Sequence, residues 1–318
     1  MLSHAELVHI WNRCHACGAA PIIGPRFACQ TCPTGADNDL CATCYQLFKR
    51  GQIEHPSPEA REAPAGRHLF RAFEGIERER ALPWLAAPWS AALAPRVPDR
   101  SVVRPEFRSG GESFFGSYAF VVVLENGGPL LLTALHVLDE LAKFRGIDCS
   151  DKNASYTGGE LPHQITDVQL YDPFAANWVL NRLGAARDML PLPDARICSN
   201  EPYSQQDIAA FRLVPSSVFQ PLRLATAPPR VGEPIWLAVN LGHGARQRAE
   251  QAVTVEITDK TFIFRFAAHD LPLYTSGAPL LNRTGEVVGI NVGGGTFEKQ
   301  KLGHGVSVLS VRHLLEWA

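Results

Sequence analysis

The sequence predicts a mainly β protein, with an antiparallel barrel architecture over residues 101–318 behind a small cysteine-rich module at residues 1–70. Three observations carry this reading. Short runs of β-branched and aromatic residues recur through the longer part, punctuated by Gly, Pro and Asn, and helical periodicity is scarce. Six of the eight cysteines crowd into residues 14–44 as three C-x-x-C pairs. Between the two parts, residues 71–100 hold Pro83, Pro88, Pro95 and Pro98 among many alanines, which reads as a semi-rigid linker or a strap packed on the larger part.

Taken in order, residues 118–124 form a β-rich run, and Asn126-Gly127-Gly128 supplies a hairpin turn into 129–133. Residues 148–205 form a long excursion whose Pro, Asp and Asn content predicts loops, with a helix around 175–183. Residues 253–257 and 261–266 alternate β-branched and aromatic side chains around Asp259-Lys260, a second hairpin. Gly285 separates two short apolar strands, and 310–317 closes the chain as an amphipathic helix. Many short strands with few helices suit a barrel.

Three segments bring chemistry. They are Leu132-Thr133-Ala134-Leu135-His136-Val137, Gln206-Asp207-Ile208-Ala209-Ala210-Phe211, and Tyr274-Thr275-Ser276-Gly277-Ala278-Pro279. A hydroxyl is a poor nucleophile until a base takes its proton, and the base needs a third group to orient it. Singly, Ser276 reads as a turn residue, His136 as a core histidine and Asp207 as a cap. Jointly they read as nucleophile, base and orienting acid. Asp188 and Asp194 compete for the acidic role, but neither precedes an apolar strand like the one starting at Ile208. An imidazole base must be neutral, so activity is expected to fall as pH drops through about 6–7.

These residues, with the run from Pro279-Leu280-Leu281-Asn282 to Gly289-Ile290-Asn291, resemble the trypsin-like serine proteases of the chymotrypsin fold, in wording nearest the bacterial Deg-type branch. The resemblance covers 101–318 and implies a double antiparallel β-barrel with the active site in the cleft between barrels. It implies that His136 is the general base, that Asp207 orients it, and that Ser276 attacks the scissile carbonyl. The backbone N–H groups of Tyr274 and Ser276 would form the oxyanion hole. The family usually carries Gly at the position of Tyr274 and again at that of Ala278. The tyrosine therefore opens an alternative reading as a catalytically inactive, protease-fold interaction protein.

Thr275 stands where digestive relatives place an Asp that pairs with a newly cut N-terminus, so activation is expected from a partner rather than from trimming. Asp270, with Gly294 and Gly305, matches the specificity pocket of trypsin-type members and implies cleavage after Arg or Lys. Gly293-Gly294-Gly295 has no following helix start or Lys-Ser/Thr, so it reads as a cleft lining rather than a phosphate loop.

C-x-x-C spacing lets two sulfurs reach one ion, and Zn²⁺ takes four ligands in a tetrahedron. Six cysteines with His55 and His68 make eight ligands, enough for two ions. The strings Ile23-Gly24-Pro25-Arg26-Phe27-Ala28-Cys29 and Asp37-Asn38-Asp39-Leu40-Cys41 resemble the ZZ-type zinc finger. That resemblance implies one zinc on Cys14, Cys17, Cys41 and Cys44, and another on Cys29, Cys32, His55 and His68. His4, His9 and His15 are local competitors. Two closed sites would supply folding energy rather than chemistry. ZZ fingers are interaction modules, some of which bind exposed N-terminal segments through acidic residues. Asp37 and Asp39 match that acidic pair, while His15 follows the first cysteine where peptide-binding members are often acidic.

A net charge of −2 with no basic stripe gives no indication of nucleic-acid binding, and none is expected. No secretory leader is apparent, and no apolar run is long enough to cross a bilayer. The larger part holds only Cys149 and Cys198, which read as free structural thiols, and the thiol-rich finger needs reduced sulfur; both point to the cytosol. Six lysines against twenty-four arginines point to a GC-rich, bacterial source. The expectation is an intracellular serine endopeptidase whose finger recruits a protein substrate or activator, suited to a regulated effector in stress or phage defence.

Overall fold

The computed structural model describes residues 6–31, 38–57, 68–124, 127–139, 141, 164–175, 181–192, 207–239, 248–267 and 274–316. In the cysteine-rich module, β1 (Leu7–His9) pairs with β2 (Ile22–Ile23), while β3 (Arg26–Cys29) pairs with β4 (Asp39–Cys41). A short helix, α1 (Ala42–Lys49), follows and buries Cys44 and Phe48. The strap completes both small sheets: β5 (Phe70–Phe73) pairs with β3, and β6 (Ile76–Glu77) pairs with β1. It continues as two single turns, α2 (Arg78–Ala81) and α3 (Pro83–Ala86), the second opened by a proline whose missing N–H costs nothing there.

The first barrel region contains β7 (Val102–Ser109), β8 (Glu112–Phe115), β9 (Ala119–Val123), β10 (Pro129–Thr133), β11 (Asp167–Tyr171), β12 (Arg182–Met189), β13 (Ala209–Leu213) and β14 (Leu222–Arg223). Strands β9-β10-β13-β12-β11-β7 run in that order, and pairing of β7 with β9 closes the ring, leaving β8 and β14 as flanks. The helix expected around 175–183 is contradicted in its last two residues. Arg182 and Leu183 open β12, where ladders to β11 and β13 override local preference. Asn126, Cys149, Asp194 and Cys198 lie outside the described residues.

The second barrel contains β15 (Pro234–Val239), β16 (Arg248–Ile257), β17 (Thr261–Phe266), β18 (Pro279–Leu281), β19 (Val287–Phe297) and β20 (Gln300–Ser307), closed in the order β15-β16-β17-β20-β19-β18. Thr258 N–H donates to the Thr261 carbonyl at 2.8 Å and turns the β16–β17 hairpin at the expected place. Phe262, Phe264, Leu280 and Val288 fill this barrel. The closing helix, α4 (Leu309–Glu316), lays Val311 and Leu315 on the other apolar cluster. This is the double antiparallel barrel the sequence predicts. No helix among the described residues is long and apolar enough to cross a membrane.

The apolar cluster of the first barrel extends into the second through Trp236, Leu281, Ile290 and Val306, so the barrels share a dry seam. One turn from the second barrel crosses it. Tyr118 N–H, just before β9, donates to the Ser276 carbonyl at 3.0 Å. Gly277 adopts φ +83, and a Cβ there would lie 2.0 Å from the Tyr118 carbonyl oxygen and 2.4 Å from Thr133 Oγ1. Gly277→Ala combines a left-handed backbone penalty of about 1–2 kcal/mol with that backbone clash. We expect it to lower the melting temperature by several degrees, at roughly 2–4 °C per kcal/mol for a domain of this size. An unchanged thermal melt would contradict this account of the seam.

Candidate active site and metal centres

His136 sits in a 3-10 turn, Leu135–Leu138, directly after β10, with Leu135 and Leu138 buried as anchors. Strand register brings the acid to it: Thr133 pairs with Ala209, and Asp207 lies two residues ahead of Ala209. Asp207 is buried, and its two oxygens divide the work. One accepts from the His136 backbone N–H at 2.8 Å, and the other lies 2.6 Å from Nδ1. Across the seam, Ser276 Oγ lies 2.8 Å from His136 Nε2. With Nδ1–H donating to Asp207, Nε2 is left to accept a hydrogen bond from the Ser276 hydroxyl.

Burial alone would hold His136 below the ordinary imidazole range. The charge of Asp207 and the bond to it, with a smaller contribution from Asp139, outweigh burial and push the group up to about 9. The titration expected from sequence at 6–7 is therefore moved upward by a buried counter-charge. Asp188, the competing acid, lies on β12 beside Arg187 with its carboxylate largely exposed.

The Ser276 turn is tied down by Asn291 of β19. Its Nδ2 donates to the Thr275 carbonyl at 3.1 Å and to Thr275 Oγ1 at 3.0 Å, and its carbonyl accepts from Gly277 N–H at 2.8 Å. Sequence reasoning gave Asn291 no role. The signal was an amide closing a buried apolar run, because a buried amide must be hydrogen-bonded. Tyr274 is in the left-handed region at φ +57, and the residue is 84% exposed. The backbone there takes a conformation that glycine adopts freely and that costs a tyrosine about 1–2 kcal/mol.

Of the three residues expected to shape the specificity pocket, Asp270 lies outside the described residues and Gly294 is exposed on β19. Gly305 is a correction. A Cβ at Gly305 would meet Leu280 and Phe262 at 2.8 Å, so its missing side chain makes room for the second barrel's core rather than for a substrate.

In the finger, the Sγ atoms of Cys14, Cys17, Cys41 and Cys44 all lie within 4.8 Å of one another. Tetrahedral zinc with Zn–S bonds near 2.3 Å sets sulfurs about 3.8 Å apart, so this cage fits the ion. At Cys14, burial raises the thiol, but backbone N–H groups of Cys17, Cys41 and Ala16 outweigh it and bring the group down to about 7, toward the thiolate that binds metal. A second cluster joins Cys29, His55 and His68 within the same 4.8 Å span. Burial, reinforced by His68, lowers His55 to about 4 and keeps it neutral, the ligating form. Cys32 and Asp37 lie outside the described residues.

Asp39, expected at a peptide-binding surface, is instead buried. Arg26 donates to both of its oxygens at 3.1 Å, and Asn12 Nδ2 donates to one at 3.1 Å. A desolvated carboxylate is costly unless paired, and this one is already committed inside the finger.

The family model of the trypsin-like peptidase domain matches residues 119–290, and that of the ZZ-type zinc finger matches residues 9–55. Among solved structures, the active form of the Rv3671c protease from M. tuberculosis is 17% identical, with 72% of this chain and 91% of that chain covered and a TM-score of 0.42. The serine endoprotease from Yersinia pestis is 15% identical, covering 69% of this chain and 62% of that one, with a TM-score of 0.40. No curated protein sequence matches the chain. The first match spans more than half of the sequence and contains His136, Asp207 and Ser276. The chain belongs to the trypsin-like peptidase domain family and carries a ZZ-type zinc finger ahead of that domain.

Proposed function

We propose that this protein is a serine endopeptidase in which Ser276, His136 and Asp207 act as nucleophile, base and orienting acid. The observation that carries the reading is one imidazole bonded on one side to a hydroxyl and on the other to a buried carboxylate. Ser276 Oγ attacks the scissile carbonyl as Nε2 takes its proton, and Asp207 balances the imidazolium that results. Nε2 then returns the proton to the leaving amine. In the second half a water attacks the acyl-serine as Nε2 accepts its proton, the bond from the carbonyl carbon to Ser276 Oγ breaks, and Nε2 returns the proton to Oγ as the acid product leaves. The Tyr274 and Ser276 N–H groups would receive the oxyanion, a role worth about 2.7–4 kcal/mol per donor.

Supporting the wider reading, Cys14, Cys17, Cys41 and Cys44 gather in one four-sulfur cluster, and a zinc site of that kind needs the reduced sulfur that a reducing cytosol maintains. The finger would recruit a protein substrate or activator, and a partner engaging the Tyr274 turn would switch on a regulated effector of bacterial stress or phage defence. Cleavage after Arg or Lys now rests on Asp270 and Gly294 alone. The strained Tyr274 favours one second reading, a catalytically inactive scaffold.

A fluorophosphonate probe separates the two. We expect labelling of the full chain that vanishes in Ser276→Ala, and losses of proteolysis of at least about 10⁴-fold in His136→Ala or Asp207→Ala that do not add. Labelling that persists in Ser276→Ala would refute the nucleophile, and no labelling with or without protein substrates would leave the scaffold.

The labelling rate should rise with pH through a midpoint above 6.5, toward about 9, because His136 must lose its proton to act as base. The ion pair stabilises the fold fully below the unfolded value and fades as pH rises through the folded one, so stability and reactivity run in opposite directions. A midpoint at or below 6.5 would contradict the role of Asp207. We further infer two zinc ions, on Cys14, Cys17, Cys41 and Cys44 and on Cys29, Cys32, His55 and His68. Elemental analysis should return two per chain and a loss of one in Cys29→Ser; one zinc in the unaltered protein would refute the second site.

A further inference from the structure

The finger rests against the second barrel, and part of its contact falls on β19, the strand whose Asn291 ties down the Ser276 turn. Val8 and Ile10 of the finger join Ala81 and Trp84 of the strap and Val253, Ile263, Phe297 and Leu302 of the barrel in one apolar cluster. Polar ties bind the same surfaces. Trp84 Nε1 donates to Glu256 at 2.8 Å, and Arg78 bridges Glu6 to Glu298 at the β19–β20 turn. Trp11 stacks on His304 of β20, ring centres 5.9 Å apart. The tightest contact is at Gly295 of β19, where a Cβ would lie 2.1 Å from the Ile10 carbonyl oxygen and 3.1 Å from the Trp11 ring.

Strand β19 joins two sites. At Asn291 it holds the Thr275–Gly277 turn, and four residues later, roughly 13 Å along an extended chain, it lies under Ile10. Between them runs Gly293-Gly294-Gly295, with the ladder to β20 shifting register between Asn291 and Gly293. Three glycines in a row give a strand little stiffness, since each costs about 0.5–1 kcal/mol of ordering relative to alanine. On the side away from β20, Asn291 still bonds Gly277 and Ala278 through its backbone, and no described strand pairs with β19 beyond it. Among the described residues that leaves an unpaired edge from Val292 onward, the kind of edge to which an extended peptide adds as a further strand.

We propose that Ile10 and Trp11 of the finger are positioning residues for substrate: they clamp the Gly293–Gly295 segment in the extended form that receives the peptide backbone. This rests on the endopeptidase reading for its kinetic consequence, but the clamp itself is a property of the fold. The finger then acts within its own chain, whatever else it binds. Small contacts suffice, because the segment has no side chains and is otherwise held only through its ladder to β20 among the described residues.

The test is Trp11→Ala in the full chain, with Trp11→Phe as the conservative partner and zinc content measured to establish that the finger stays folded. Amide hydrogen exchange followed by mass spectrometry should rise about tenfold over 293–297 in Trp11→Ala, return in Trp11→Phe, and stay unchanged over 129–133. With a quenched-fluorescent peptide cut from casein, KM should rise about tenfold while kcat holds within about twofold, since only backbone binding is lost. Unchanged exchange over 293–297 would overturn the proposal, as would a fall in kcat at constant KM. An unaltered protein that neither labels with fluorophosphonate nor cleaves the peptide would remove the endopeptidase reading, and the exchange result would still decide the clamp.

Discussion

The site depends on how closely one turn of the second barrel approaches the first. His136 follows β10 and Asp207 precedes β13 in the first barrel, Ser276 precedes β18 in the second, and neither barrel holds the three groups alone. Strand register within the first barrel sets the 2.6 Å contact of His136 with Asp207, and the seam at Gly277, where only a hydrogen atom fits against the Tyr118 carbonyl, brings Ser276 Oγ within 2.8 Å of Nε2. The apolar residues flanking that seam hold it shut without direction, and the hydrogen bonds from Tyr118 and Asn291 give it direction.

Electrostatics refine what packing assembles. Asp207 is desolvated, and a bare carboxylate there would be costly, so its two bonds to one histidine both stabilise it and orient the ring. The same pairing holds a proton on the imidazole at pH values where a free histidine has lost it. A strong pair favours order over reactivity. The left-handed Tyr274 adds strain two residues from Ser276, a pattern that gathers at functional sites.

Much of the fold was readable because its signals were local. The β16–β17 hairpin announced itself by alternation about Asp259-Lys260, and the 129–133 strand by its turn and apolar run. His136, Asp207 and Ser276 were readable as a set because each stood beside an apolar strand. Other features lay beyond a linear reading. Pro105 interrupts β7 in sequence, yet that strand pairs through it to Leu170. Arg182 and Leu183 join a sheet whose partners lie far along the chain. Asp39 looked available because acidity shows in sequence, whereas its partner Arg26 is thirteen residues away. Gly305 looked like a pocket glycine, although the space beside it belongs to Phe262. In each case a long-range neighbour decided the outcome.

The finger and barrels meet through backbone contact at Gly295, so metal-bound folding at one end and strand order at the other share one surface. All of this serves a single arrangement, a histidine held between a buried carboxylate and a hydroxyl. The most direct test is the proton NMR spectrum of the full chain at low pH, read for the His136 Nδ1 proton. The account predicts a resonance far downfield of the amides, lost in Asp207→Asn and retained in Ser276→Ala. A spectrum with no such resonance, or one in which it survives Asp207→Asn, would contradict it.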